Sequence, residues 1–182
     1  MREPFPGPGR RRPEHGVHRD PEHSTIVFLT VCTKHRARWL ACPAVQNALL
    51  DCWSGSSAWQ VGDYLLMPDH LHPFCSPGDP CIELPQWVAW WKRRFSCLHI
   101  RGAGRWQRDF WDTRLRRWEH YDQKWWYIRE NPVRAGLVAT ADEWRFQGGF
   151  HALRWRLMPR DRVRDHDGTG CRTVTHQLGA RN

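Results

Sequence analysis

The sequence contains no Cys-x-x-Cys pair, although it holds seven cysteines. Cys32, Cys42, Cys52, Cys75, Cys81, Cys97 and Cys171 are odd in number and scattered through apolar stretches. Neither a zinc knuckle nor a disulfide framework fits that pattern, whereas reduced thiols in a cytosolic protein do. No segment approaches the ~20 apolar residues of a membrane span, and the N-terminus has no apolar signal core. A soluble, intracellular chain with no membrane partner is the expectation. Tyrosine is scarce: Tyr64, Tyr121 and Tyr127 are the whole set. Acidic residues are also few, 19 against 28 Lys and Arg, and the net charge is +9. Arginine supplies nearly all of the positive charge, which favours polyanionic partners, nucleic acid first.

What is present is a chain of 182 residues, enough for one domain with a real core. Residues 1–22 are rich in Pro, Arg, Gly and His without apolar periodicity, and read as a disordered basic arm. Residues 158–182 lack pattern and read as a basic, disordered tail. The domain is expected over residues 23–157. Thirteen tryptophans are unusual; most belong in a core, and some are candidates to stack on bases.

The β-branched run from Thr25 to Thr33 predicts a first strand. Pro43 opens a helix to about Trp53, with Val45, Leu49, Leu50 and Trp53 near helical spacing. Trp59 to Met67 is a second strand, Pro68-Asp69 a tight turn, and a third strand carries His70, His72 and Phe74. A helix follows from about Leu84 to Leu98, its apolar face marked by Trp87, Val88, Trp91 and Phe95. Phe110 to Leu115 is a plausible fourth strand. The order β-α-β-β-α-β predicts an α+β fold, the ferredoxin-like split β-α-β arrangement, with an antiparallel sheet and two helices on one face. The face without those helices is then expected to be free for a site.

His70 and His72 are two apart in a strand, so both point to one face, roughly 6–7 Å apart at the backbone. Two imidazoles so placed can converge on one divalent ion. Leu71 between them points to the helices. A last helix, from about Trp118 to Glu130, has two stripes. Trp118, Tyr121, Trp125 and Ile128 are apolar and expected to be buried. His120, Lys124, Tyr127 and Asn131 make a polar stripe, which leaves Tyr127 available. Asn131 precedes Pro132 and has two readings: N-cap of a further helical turn, or metal ligand through its amide oxygen. Arg93, Arg94, Arg101, Arg105, Arg108, Arg114, Arg116 and Arg117, with Lys124 on the last helix, offer phosphate contacts. Trp106 and Trp111 among them offer stacking surfaces.

The stretch Met67-Pro68-Asp69-His70-Leu71-His72 resembles the H-hydrophobic-H motif of the HUH single-strand endonucleases. Tyr127-Ile128-Arg129-Glu130-Asn131-Pro132-Val133-Arg134-Ala135-Gly136-Leu137-Val138 resembles the tyrosine helix of the REP-associated tyrosine transposases, relatives of the single-tyrosine insertion-sequence transposases. Trp106-Gln107-Arg108-Asp109-Phe110-Trp111-Asp112 is similar to the segment that precedes that helix in the family. The match runs from about Ile26 to Trp155. The resemblance implies a bacterial, cytoplasmic, nucleoid-associated enzyme acting on single-stranded or hairpin DNA of palindromic repeats, as monomer or homodimer. It implies Tyr127 as nucleophile, His70, His72 and Asn131 as ligands of Mg²⁺ or Mn²⁺, and a covalent 5′-phosphotyrosine intermediate with a free 3′-OH. Pro73 departs from the family, which has an aliphatic strand residue there, since proline removes a ladder donor. That departure keeps a second reading open, a hairpin-DNA-binding protein without catalysis. A third, a plasmid-type replication initiator or relaxase, usually comes with a helicase or larger domain, for which the length leaves no room.

Overall fold

A computed structural model of the chain describes residues 25–79, 81–98, 104–115 and 118–153. The basic arm and tail predicted at the ends, and Arg101, Arg116 and Arg117, lie outside the described residues. Strands β1 (Ile26–Cys32), β2 (Trp59–Leu66), β3 (His70–Pro77), β4 (Trp111–Leu115) and β5 (Gln147–Gly149) form one sheet. Their order is β4-β1-β3-β2-β5, and every pairing is antiparallel. Helices α1 (Pro43–Ser54) and α2 (Leu84–Leu98) are the two crossovers. Helix α3 (Trp118–Arg129) and the single turn α4 (Asn131–Arg134) follow β4. The first four strands and two helices are the expected split β-α-β arrangement.

The sheet separates two apolar layers. Val27, Leu29 and Val31 of β1 alternate with Leu71 and Cys75 of β3 toward α1 and α2, where Leu49, Trp53, Trp87, Trp91 and Phe95 meet them. Trp53, Trp59, Trp87 and Trp91 are each almost wholly buried. An indole removes roughly 200 Å² from water, worth about 5 kcal/mol before the entropy of ordering it. Ile26, Phe28, Leu65 and Phe74 point the other way, and Tyr121, Ile128 and Trp144 cover them. The expectation of a bare second face is therefore corrected: four large apolar side chains on that face need cover, and α3 supplies it. The predicted apolar stripe of α3 faces the sheet, with Tyr121 and Ile128 buried and Trp125 half-buried, while the side chain of Trp118 lies outside the described part.

A register shift in β2 between Val61 and Tyr64 places Gly62 and Asp63 on a bulge. A Cβ at Gly62 would meet the Leu153 side chain at 2.6 Å and crowd the Tyr121 hydroxyl at 3.3 Å, so glycine makes room for Leu153 first and for α3 second. The Tyr121 hydroxyl donates to Asp63 Oδ2 at 2.7 Å and accepts from the Asp63 amide at 3.3 Å. Farther along β2, the Trp144 indole donates to the Leu66 carbonyl at 2.9 Å. Strand β5 was not legible in the sequence; it adds to the β2 edge through backbone pairs of Asp63, Tyr64 and Leu65 with Gly149, Gly148 and Gln147.

Candidate functional site

Strand β3 is central, flanked by β1 and β2, so its residues alternate between the two layers. Leu71 is buried against α1 and α2. His70 and His72 share the opposite face, with ring centroids 4.7 Å apart. They line an open cleft of about 870 Å³ with Thr30, Cys32, Arg36, Gln107 and Trp111. Cys32 lies across from His70 in the register, and Trp111 across from Thr30.

Each imidazole is held through Nδ1. His70 Nδ1 lies 2.6 Å from Asp69 Oδ1, and Asp69 Oδ2 is paired with Arg36 Nε at 3.0 Å. His72 Nδ1 lies 3.0 Å from Thr30 Oγ1 and 3.4 Å from the Leu29 carbonyl. The His72 ring stacks on Phe28 at 5.2 Å. A carboxylate and a carbonyl only accept, so these contacts favour the proton on Nδ1 of each ring, which leaves the Nε2 lone pairs for another partner. Burial pushes both imidazoles toward the neutral form. His70 is lowered by desolvation against the opposing pull of Asp69. His72 is lowered to about 3, by desolvation first and then by the positive fields of His70, Lys124 and Arg36. Two neutral, oriented imidazoles side by side suit a divalent cation. Among the described residues, no third His, Cys, Asp or Glu joins them in a ligand-sized group. Further ligands would be an amide oxygen, water or substrate oxygen.

Tyr127 stands on α3, which packs on this same sheet face. Of the three tyrosines, Tyr121 and Tyr64 are buried, and Tyr127 is 61% exposed. Tyr64 accepts from Gln46 Nε2 at 2.9 Å. Burial, then the Asp63 carboxylate, pushes the Tyr121 hydroxyl well above the usual phenol range. Lys124 Nζ sits 4.8 Å above the Phe28 ring, which stacks on His72, and 6.0 Å from the Tyr127 ring. Tyr127 and Asn131 do not line the histidine cleft. Arg134 holds both instead: its guanidinium lies 4.4 Å from the Tyr127 ring centre and donates to the Tyr127 carbonyl and to Asn131 Oδ1. Asn131 is not the N-cap of α4 either; Glu130 holds that position, with Asn131 as the first helical residue.

The other predicted DNA-contacting residues divide. Trp111 borders the histidine cleft. Trp106 packs against Trp39, Trp91 and Phe95 at 5.0, 5.3 and 5.5 Å, so its ring is committed to the α2 layer. Arg93, Arg105 and Arg108 line a smaller cavity of about 420 Å³ between α2 and the 104–108 segment. Arg94 lies beside Trp90 on exposed α2 surface. Arg114 faces the same layer as Val27, its partner in the register. Gln107 borders both cavities. Its segment is pinned by Lys92, whose ammonium donates to the carbonyls of Gln107 and Arg108 at 3.0 and 3.3 Å. Burial lowers Lys92 to about 8, against the field of Asp109.

The sequence reading did not single out Thr30, Cys32, Arg36 and Gln107 of the cleft, nor Asp69 and Arg134 beside it. Asp69 stood inside the quoted motif, where a carboxylate beside a histidine is the available signal. Arg36 follows His35, and both have positive φ, 55° and 58°. Histidine is tolerated in such backbone more often than most residues, but positive φ at an arginine has no sequence signature.

No protein-family model and no curated protein matches the sequence. Solved structures do. A REP-associated tyrosine transposase bound to a REP hairpin is similar with a TM-score of 0.57 and 20% identity, over 72% of this chain and 81% of that one. A candidate transposase from Deinococcus radiodurans is similar with a TM-score of 0.42 and 22% identity, over 59% of this chain and 90% of that one. Over the superposed part, this chain has the fold of a REP-associated tyrosine transposase.

Proposed function

We propose that this chain is a metal-dependent single-strand DNA nicking and joining enzyme of the transposase type. The observation that carries the reading is the pair of neutral imidazoles, each locked at Nδ1, on the same sheet face as the helix that exposes Tyr127. His70 and His72 would hold Mg²⁺ or Mn²⁺, with Asn131 as third ligand once Arg134 releases its oxygen. The ion, when bound, supplies charge that polarises the scissile phosphate and favours a phenolate. Tyr127 supplies the nucleophile. Its oxygen attacks phosphorus, the tyrosine–phosphate bond forms, the P–O3′ bond breaks, and the phenolic proton is lost to solvent as the leaving oxygen gains one. The phosphotyrosine ester conserves the energy of the broken diester, so rejoining needs no ATP. Arg36 at the cleft wall, with its fork of donors, suits a phosphate. The similar solved transposase is bound to a REP hairpin, and for this chain we take hairpin or single-stranded DNA as substrate.

A labelled hairpin oligonucleotide, incubated with the protein and Mg²⁺ or Mn²⁺ and run on a denaturing gel, tests this. A protein-linked fragment is expected, absent in His70→Ala, His72→Ala and Tyr127→Phe and after chelation. A hairpin that is bound but never cut points to the second reading, a hairpin-binding protein without catalysis. The clasp of Arg134 on Tyr127 and Asn131, away from the histidine cleft, is the observation that favours it.

A further inference from the structure

Pro73 lies in the central strand, where proline is poorly tolerated because it lacks a ladder donor. The strand pairs Val27 with Cys75 and Phe28 with Phe74 on one side of it, and Val31 with Leu71 and Cys32 with His70 on the other. Continuity of that register sets Leu29 opposite Pro73. In an antiparallel ladder, alternate pairs exchange both backbone hydrogen bonds. The Thr33 amide donates to the Asp69 carbonyl at 3.0 Å, so odd residues of β1 and β3 are the exchanging pairs. Leu29 and Pro73 belong to that set. Any other residue at position 73 would donate its amide to the Leu29 carbonyl. Proline cannot. That same carbonyl lies 3.4 Å from His72 Nδ1.

The other neighbour of His72 Nδ1, the Thr30 hydroxyl at 3.0 Å, can donate or accept. It tolerates either tautomer. The Leu29 carbonyl accepts only, so it admits only the tautomer with the proton on Nδ1. We propose that Pro73 is a positioning residue. By withholding the ladder donor from Leu29, it leaves a backbone acceptor for His72, fixes the Nδ1–H tautomer, and so presents the Nε2 lone pair to the cleft. The proposal rests on the reading of His72 as a metal ligand, but it concerns the state of the ring before any ion arrives. The residue that departs from the family's strand pattern thus serves the histidine beside it.

The test is long-range ¹⁵N–¹H correlation spectroscopy of the histidine rings in the metal-free full chain with chelator, at neutral pH. Wild type should show His72 protonated at Nδ1. Pro73→Val restores the amide with a strand-favouring residue; the Leu29 carbonyl then takes the ladder bond, its hold on His72 Nδ1 (long already at 3.4 Å) weakens, and His72 should move toward the Nε2–H tautomer. Mn²⁺ affinity, titrated directly, should fall about 10- to 100-fold, the usual effect of losing an outer partner of a ligating histidine. Thr30→Val should keep the Nδ1–H form, because the carbonyl remains. An Nε2–H ring in wild type or in Thr30→Val, or an unchanged ring in a folded Pro73→Val, would overturn the proposal. If Pro73→Val does not fold, Pro73→Ala restores the same amide, and an Nε2–H ring in wild type or Thr30→Val still overturns the proposal by itself. Because the ring is read without DNA or metal, failure here is separate from failure to cut a hairpin.

Discussion

Replacing His72 by phenylalanine removes one titration while a ring of similar size stays stacked on Phe28 at a site 8% exposed; the lost Nδ1 contacts to Thr30 and Leu29 lower stability by an amount that does not vary with pH. In the folded chain His72 takes up a proton only near pH 3; an unfolded histidine does so near 6.5. Between those values the unfolded state binds a proton that the folded state refuses. Stability therefore falls as pH drops below about 6.5, and His72 adds no further loss below about pH 3. The two values give about 2 kcal/mol lost at pH 5 and about 3 kcal/mol at pH 4, relative to neutral pH. The assay is urea unfolding of the metal-free protein with chelator at pH 7, 6, 5 and 4. Wild type should lose about 2 kcal/mol more than His72→Phe between pH 7 and pH 5. All other titrating groups, His70 included, are common to both proteins. Parallel stability curves would refute the buried, neutral state of His72, and with it the account of why its Nε2 is free to ligate.

The two tyrosines of α3 should separate cleanly. Tyr127→Phe should abolish any covalent DNA adduct without changing the melting temperature, whereas Tyr121→Phe should keep the adduct and cost about 1–3 kcal/mol by leaving Asp63 without its donor. An adduct that survives in Tyr127→Phe and vanishes in Tyr121→Phe would reverse the roles. Asp69→Asn should weaken Mn²⁺ binding about 10- to 100-fold, checked by calorimetric titration; an unchanged affinity would remove Asp69 from the site. Hairpin affinity should fall steeply with salt as phosphate contacts release counterions; a flat dependence in a filter-binding series would argue against the arginine surface as the DNA path.

Local chemistry was readable from residues; tertiary choice was not. The β-branched run through Ile26–Cys32 and the helical spacing of Trp87, Trp91 and Phe95 are local signals, and those elements stand where the patterns placed them. The two stripes of α3 also told the buried tyrosine from the exposed one. Gln147-Gly148-Gly149 carries no strand propensity; its pairing is purely backbone addition to an edge. Trp106 read as a stacking surface because arginines flank it in sequence, but its ring turns into an aromatic cluster that only the folded chain assembles. Of the two readings of Asn131, metal ligand or N-cap, the cap rested on the proline that follows it. Glu130, however, stays helical in φ and ψ, so the chain passes almost directly from α3 into α4 and the cap shifts back by one residue. His70 and His72 were legible as a pair, whereas the acceptors that orient them come from Asp69 and from a strand forty-odd residues earlier.

The two hydrogen bonds to β2 have a mechanical consequence. Tyr121 is fastened to Asp63 at the mid-strand bulge, and Trp144 to Leu66 at the strand's last residue, so the chain between them is a beam bolted at both of its own ends to the rail that leads into the histidine hairpin. Tyr127 rides on that beam. Swinging α3 as a whole would shear a buried hydroxyl from its carboxylate and open the bulge at Gly62. The compliant part of the span is instead its side chains and the Arg134 clasp. Under the proposed chemistry, the strand to be cut has to be carried to the tyrosine, or the tyrosine of a second copy brought to these histidines, with the helix itself standing still.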